Sequence, residues 1–243
     1  MPGLDWLGRQ SRGESKSLLY YDLRWAFRAS GCPVCHLCDE EIRRFYHWFL
    51  YQNYYAPSMM AKLQSSAGFC REHAWRLLEY GVVYQIAVVA RYLVEDQQQK
   101  LGVLQAQFGQ LSAQRRTWKR RASLPRMARP GESCPACQTL ANHARSATQT
   151  LAHWLADEGF AAEYRASDRL CLDHLAIALE SASPETAARL VELTLEKLTA
   201  LATELEEYFR KVDYRFADEP KGDEQTAWRR AIETFVGWRY DSG

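Results

Sequence analysis

The 243-residue chain lacks several things that would narrow its function at once. It has no run of about 18 apolar residues, so no segment reads as a transmembrane helix. Its start, Met1-Pro2-Gly3-Leu4-Asp5-Trp6, lacks the charged-then-apolar layout of a signal peptide, which sets the expectation of a cytoplasmic protein. Net charge is nearly absent: Lys and Arg together number 31 against 30 Asp and Glu, a formal +1. A chain so balanced has no global attraction for nucleic acid or membrane, and any such affinity must be local. There is no Gly-rich phosphate loop, no nucleophile elbow and no pair of Glu-x-x-His helices. The sequence therefore gives no positive case for an enzyme. The alternating pattern of strands is missing as well, which leaves an all-α fold.

What is present is a repeated set of cysteines and histidines. Cys32-Pro33-Val34-Cys35 is answered by Cys70-Arg71-Glu72-His73, and Cys134-Pro135-Ala136-Cys137 by Cys171-Leu172-Asp173-His174. The gap between motifs is 35 residues in the first copy (35 to 70) and 34 in the second (137 to 171). The copies are offset by 102 residues at one motif (32 to 134) and 101 at the other (70 to 171). Three thiolates and one imidazole make a tetrahedral zinc set, and the expectation is one such site within each half. In a reducing compartment paired cysteines favour metal over disulfide, and the odd seventh cysteine, Cys38, weakens a disulfide framework. Iron, or an iron–sulfur centre, is the alternative occupant. Four protein ligands leave no open coordination position, so the sites read as structural rather than catalytic.

Around these motifs the chain reads as an internal duplication. Residues 1–16 form a polar arm and 17–114 the first helical metal-binding repeat. A basic linker, 115–131, leads to the second repeat at 132–213, and 214–243 form a C-terminal segment with a short helix. Each cysteine pair sits at a helix start, with Pro33 and Pro135 at the first helical position, where proline sacrifices no needed amide bond. Helices are expected at 17–29, 33–54, 58–65, from 70 to the break at Gly81, 82–108, 135–156, 160–167 and from Pro184 onward. Glu72 and Asp173 directly precede the two histidines. They could orient those rings, or merely favour the positive end of a helix. Cys38 is matched by Leu140 in the second copy and reads as a buried apolar position.

In the linker, Arg115, Arg116, Lys119, Arg120, Arg121, Arg126 and Arg129 surround Trp118, and no Asp or Glu occurs between Gln97 and Gly131. This segment is either a solvated connection or an anion-binding surface that meets phosphates with Trp118 stacking. The function expected is a zinc-stabilised interaction or scaffold module with an unknown protein partner. A zinc–thiolate redox switch and a nucleic-acid-binding protein are the alternatives. The chain resembles an uncharacterised prokaryotic family of the domain-of-unknown-function type. That family is marked by CPxC and FCxxH motifs and by a C-terminal segment like Asp213-Tyr214-Arg215-Phe216-Ala217-Asp218-Glu219-Pro220, followed by a Trp-Arg-Arg-Ala stretch, here Trp228 to Ala231. The resemblance implies the helical fold and the metal sites. Phe69 to His73 keeps the FCxxH form, whereas the second copy has Leu170 in place of the Phe.

Overall fold

A computed structural model describes residues 16–113, 134–216 and 218–237. The described residues form ten α-helices and no strand: α1 (Leu18–Ala26), α2 (Pro33–Trp48), α3 (Pro57–Ser65), α4 (Arg71–Leu78), α5 (Val83–Ala113), α6 (Pro135–Trp154), α7 (Glu158–Ala166), α8 (Leu172–Ser181), α9 (Pro184–Val212) and α10 (Glu224–Val236). A π-helical turn, Phe49–Asn53, extends α2 and places both Phe49 and Leu50 in the core. Among the described residues, no helix is long and apolar enough to cross a membrane. The basic cluster Arg115, Arg116, Lys119, Arg120 and Arg121 lies outside the described residues, as do Trp118, nearly all of the N-terminal arm and Trp238.

The chain forms two compact units, and they do not follow the expected repeats 17–114 and 132–213. One draws on the chain up to Leu37 and from Arg145 onward, and the other runs from Cys38 to Ala144. Thus α2 gives its first turn to one unit and its remainder to the other, and α6 is divided likewise. In the first unit α1 packs on α7: Tyr20 stacks on Phe160 at 5.3 Å, and Phe27 meets Phe160 and Tyr164 at 5.1 and 5.6 Å. Arg24 pairs with Glu163 over the same contact. In the second unit Ile42, Phe45, Tyr46 and Phe49 of α2 close with Met59, Met60 and Leu63 of α3 and with Phe69 into one core.

In α10 the large apolar side chains are not the ones the fold buries. Trp228, Ile232 and Phe235 are exposed, and Glu224, Ala227 and Thr234 are the buried residues. Small side chains let α10 approach its neighbours closely. Its buried carboxylate is satisfied, because Glu224 accepts from the Gly222 N–H at 2.9 Å and from Lys211 at 3.0 Å. These bonds hold the Glu224 carboxyl down to about 2.

Candidate metal centre

All eight expected ligands gather into two clusters, but the pairing is crossed. Cys32 and Cys35 meet Cys171 and His174, whereas Cys70 and His73 meet Cys134 and Cys137. The expectation that each half closes its own site is therefore corrected. Cys70 and His73 are held against the middle of α2, where the Tyr46 hydroxyl donates to the His73 carbonyl at 2.9 Å and Arg76 pairs with Asp39. The start of α6 supplies the missing thiols there. Each cluster lies within a single compact unit.

The four motifs share one local geometry. The first cysteine of each precedes a helix, and its carbonyl accepts from the amide four residues on: His36 from Cys32, Ala74 from Cys70, Gln138 from Cys134 and Leu175 from Cys171. The second ligand, Cys35, His73, Cys137 or His174, sits at the third helical position. Each cluster therefore receives two helix N-termini, whose open amides and positive dipole ends favour thiolates.

Distances provide the test of fit. A tetrahedral ion with sulfur at about 2.3 Å and nitrogen at about 2.0–2.1 Å requires about 3.8 Å between two sulfurs and about 3.6 Å between sulfur and nitrogen. Cys35 and Cys171 Sγ are 3.8 Å apart, and Cys70 and Cys137 Sγ are 3.7 Å apart. His174 Nδ1 lies 3.5, 3.4 and 3.2 Å from the sulfurs of Cys32, Cys35 and Cys171. His73 Nδ1 lies 3.0, 3.8 and 3.2 Å from those of Cys70, Cys134 and Cys137. These separations suit one shared cation and are far too long for a disulfide at about 2.05 Å. All seven cysteines are free thiols, and Cys38, half-buried, belongs to neither cluster.

The electrostatics agree with a cation site. Hydrogen bonds with Cys32 and Cys35, then His174, hold the Cys171 thiol far down, whereas those with Cys171 and Cys32, and partial burial, push Cys35 far up. Without a cation one sulfur thus carries the charge that three could share around a metal. Burial, then Cys134, pushes Cys137 up to about 12. Burial lowers His73 against the opposing charge of Glu72, which favours the neutral imidazole that ligates metal. Glu72 and Asp173 themselves are exposed in the first turns of α4 and α8.

Several supporting residues escaped the sequence reading. Ser66 and Ser167, each four residues before the cysteine of a CxxH motif, are buried. Each hydroxyl has carbonyls of both the preceding helix and the loop within reach of its one proton, the loop acceptors being Gly68 O at 2.8 Å and Asp168 O at 2.9 Å. Their equal offset was the available signal. Asp168 accepts from the Gly31 amide, tying the two chain segments that build the first cluster, and Gly31 turns there at φ 90°. Buried Arg169 donates to Thr234 and to the Arg230 carbonyl, and with Cys32 and Cys171 it lines a small cavity beside that cluster. Gly237, at φ 81°, passes so close that a Cβ would stand 3.1 Å from Cys35 Sγ and 3.8 Å from Cys171 Sγ.

Fold and site together define an all-α protein with two Cys3His clusters able to hold metal ions. The chain belongs to DUF6062, a family of unknown function, whose sequence profile it matches over residues 22–242. That span includes both clusters and α10. Comparison with curated proteins and with solved structures produced no match.

Proposed function

We propose that the chain is a non-catalytic zinc protein whose two closed Cys3His sites fix a helical interaction module, at work in a reducing compartment. The tetrahedral spacing of four donors in each cluster carries this reading. Four protein ligands at that spacing leave no position for substrate or water, the mark of a structural site. Thiolate and imidazole suit zinc. Large apolar side chains on the surface, Trp25, Trp75, Tyr84 and Trp228 among them, supply material for partner contact. The matched motifs support an internal duplication. Protein purified without a metal-binding tag should hold two zinc ions, and chelation should abolish helicity, since binding energy at such sites is folding energy. Iron in place of zinc, or unchanged helicity and melting after both metals are stripped, defeats the proposal.

A second reading, a zinc–thiolate redox switch, is favoured by one observation. Cys137 is exposed in its cluster, whereas Cys32 and Cys171 of the other are buried. An accessible metal-bound thiolate is where an oxidant would begin.

A further inference from the structure

Helix α9 carries two apolar seams, and its fold uses only one. Leu190, Thr194 and Leu201 are buried. A second row, Val191, Leu195, Leu198, Ala202, Leu205 and Phe209, ends at Val212 in strictly alternating steps of four and three, the spacing of a coiled-coil seam. Most of this row is exposed, Leu195 at 58%, Phe209 at 68% and Val212 at 67%, with Leu198 and Leu205 half-buried between them. From Val191 to Val212 it extends about 32 Å, or three heptads. Along one flank, at seven-residue intervals, stand Glu185, Glu192, Thr199 and Glu206. The three carboxylates are exposed, and within the described residues no ion pair engages them. The other flank is closed, because Thr194 and Leu201 are buried and Tyr208 is half-buried.

We propose that this face of α9 is a docking seam for a basic amphipathic helix of another protein. The inference rests on the interaction-module reading and names its surface and its partner chemistry. Leucine-type side chains at heptad spacing would bury the seam, and Lys or Arg beside them would meet Glu185, Glu192 and Glu206. A second copy of α9 is the wrong occupant. Antiparallel packing sets one acidic flank against the other, and parallel packing needs the flank that the fold has already buried.

The test uses the zinc-loaded full chain and two synthetic 21-residue helices with the same apolar seam, one flanked by Lys and the other by Glu. By fluorescence anisotropy the Lys helix should bind about tenfold tighter at low ionic strength, with the gap narrowing in high salt. L195E/F209E should abolish binding, and E192K/E206K should reverse the preference between the peptides. Equal binding of both helices, or unaltered binding by L195E/F209E, overturns the proposal. So does a dimer in sedimentation that dissolves in that variant, which would make a second copy the occupant. A chain that keeps two zinc ions and its metal-dependent melting but ignores both peptides loses the seam alone. A fold indifferent to metal removes the module reading itself.

Discussion

His174→Ala separates crossed from uncrossed sites in one experiment. With the ligand sets Cys32–Cys35–Cys171–His174 and Cys70–His73–Cys134–Cys137, the variant should lose one zinc and expose Cys32, Cys35 and Cys171 to alkylation. Cys70, Cys134 and Cys137 should stay protected. The structure also sets the scale of the effect. The first site closes a loop of 136 residues between Cys35 and Cys171, and the second one of 61 residues between His73 and Cys134. The cross-link expression derived for disulfides puts these closures at about 5 and about 4 kcal/mol. Either is a large share of an ordinary domain's stability of about 5–15 kcal/mol, so His174→Ala should unfold much of its unit.

The loops are nested, and this adds a smaller effect. With the inner link in place, the outer loop is effectively about 75 residues, which lowers its closure cost by about 0.5 kcal/mol. Loss of either site should therefore weaken zinc at the other about two- to threefold, equally in both directions by linkage. Competition with a chromophoric chelator reads the affinity, and mass spectrometry of alkylated peptides reads the cysteines. Labelling of Cys134, Cys137 and Cys171 in His174→Ala, with Cys32 and Cys35 protected, would refute the crossed arrangement.

Three further outcomes are expected. Gly237→Ala keeps every ligand yet should weaken zinc at the first site at least about fivefold, because φ 81° with ψ 165° is backbone that essentially only glycine adopts, at a cost of about 1–3 kcal/mol for another residue, and the methyl presses on Cys35; unaltered affinity in the chelator competition would contradict it. Under limiting hydrogen peroxide, zinc should leave the second site first as Cys137 and Cys70 give two electrons to form a disulfide and peroxide is reduced to water; mapping by mass spectrometry that finds Cys32 or Cys171 oxidised earlier would count against it. Glu224 is depressed in the fold, so its contribution is complete above the usual Glu value of about 4.3 and fades as pH falls toward about 2. Glu224→Gln should thus melt below the parent at neutral pH, with the gap narrowing as pH falls below about 4.3, and a variant that melts level with the parent at pH 7 would disprove the assignment.

The helices were legible because their signals are local. Pro33, Pro135 and Pro184 stand at helix starts, Gly31, Gly68 and Gly81 at breaks with positive φ, and the apolar spacing between them is helical. The eight ligands were legible for the same reason, since a CxxC or CxxH turn at a helix start declares itself within four residues. Which motif meets which was not. That depends on contacts distant in sequence, such as Asp168 with the Gly31 amide and Tyr46 with the His73 carbonyl, and motif spacing holds no such information. Which face of α10 is covered was not legible, because helical spacing shows that apolar residues share a side without showing which side is buried. Glu224 and Thr234 went inside because Gly222, Lys211 and Arg169 complete their bonds, and no local pattern announces those partners. In α9 the leucines of two seams are interleaved, so the sequence shows one broad apolar stripe where the structure has an inner and an outer row.

The crossed pairing bears on what one set of motifs could do alone. Residues 17–114 carry Cys32, Cys35, Cys70 and His73, which are two half-sites that belong to different clusters. In the intact chain both are completed by residues from 134–174, so in the fragment a second chain must supply the missing pairs. Two such fragments could exchange ends, Cys32–Cys35 of each with Cys70–His73 of the other, and rebuild both Cys3His sets in a symmetric dimer, as in domain swapping. The expected result is a fragment that is unfolded and metal-free when dilute. At high concentration with zinc it becomes a helical dimer holding two ions, with folding that depends on concentration. Sedimentation and metal analysis across a dilution series distinguish the cases. A monomeric fragment that binds one zinc ion tightly through all four of its own ligands would show that one set of motifs closes on itself, and the need for a second set would fall.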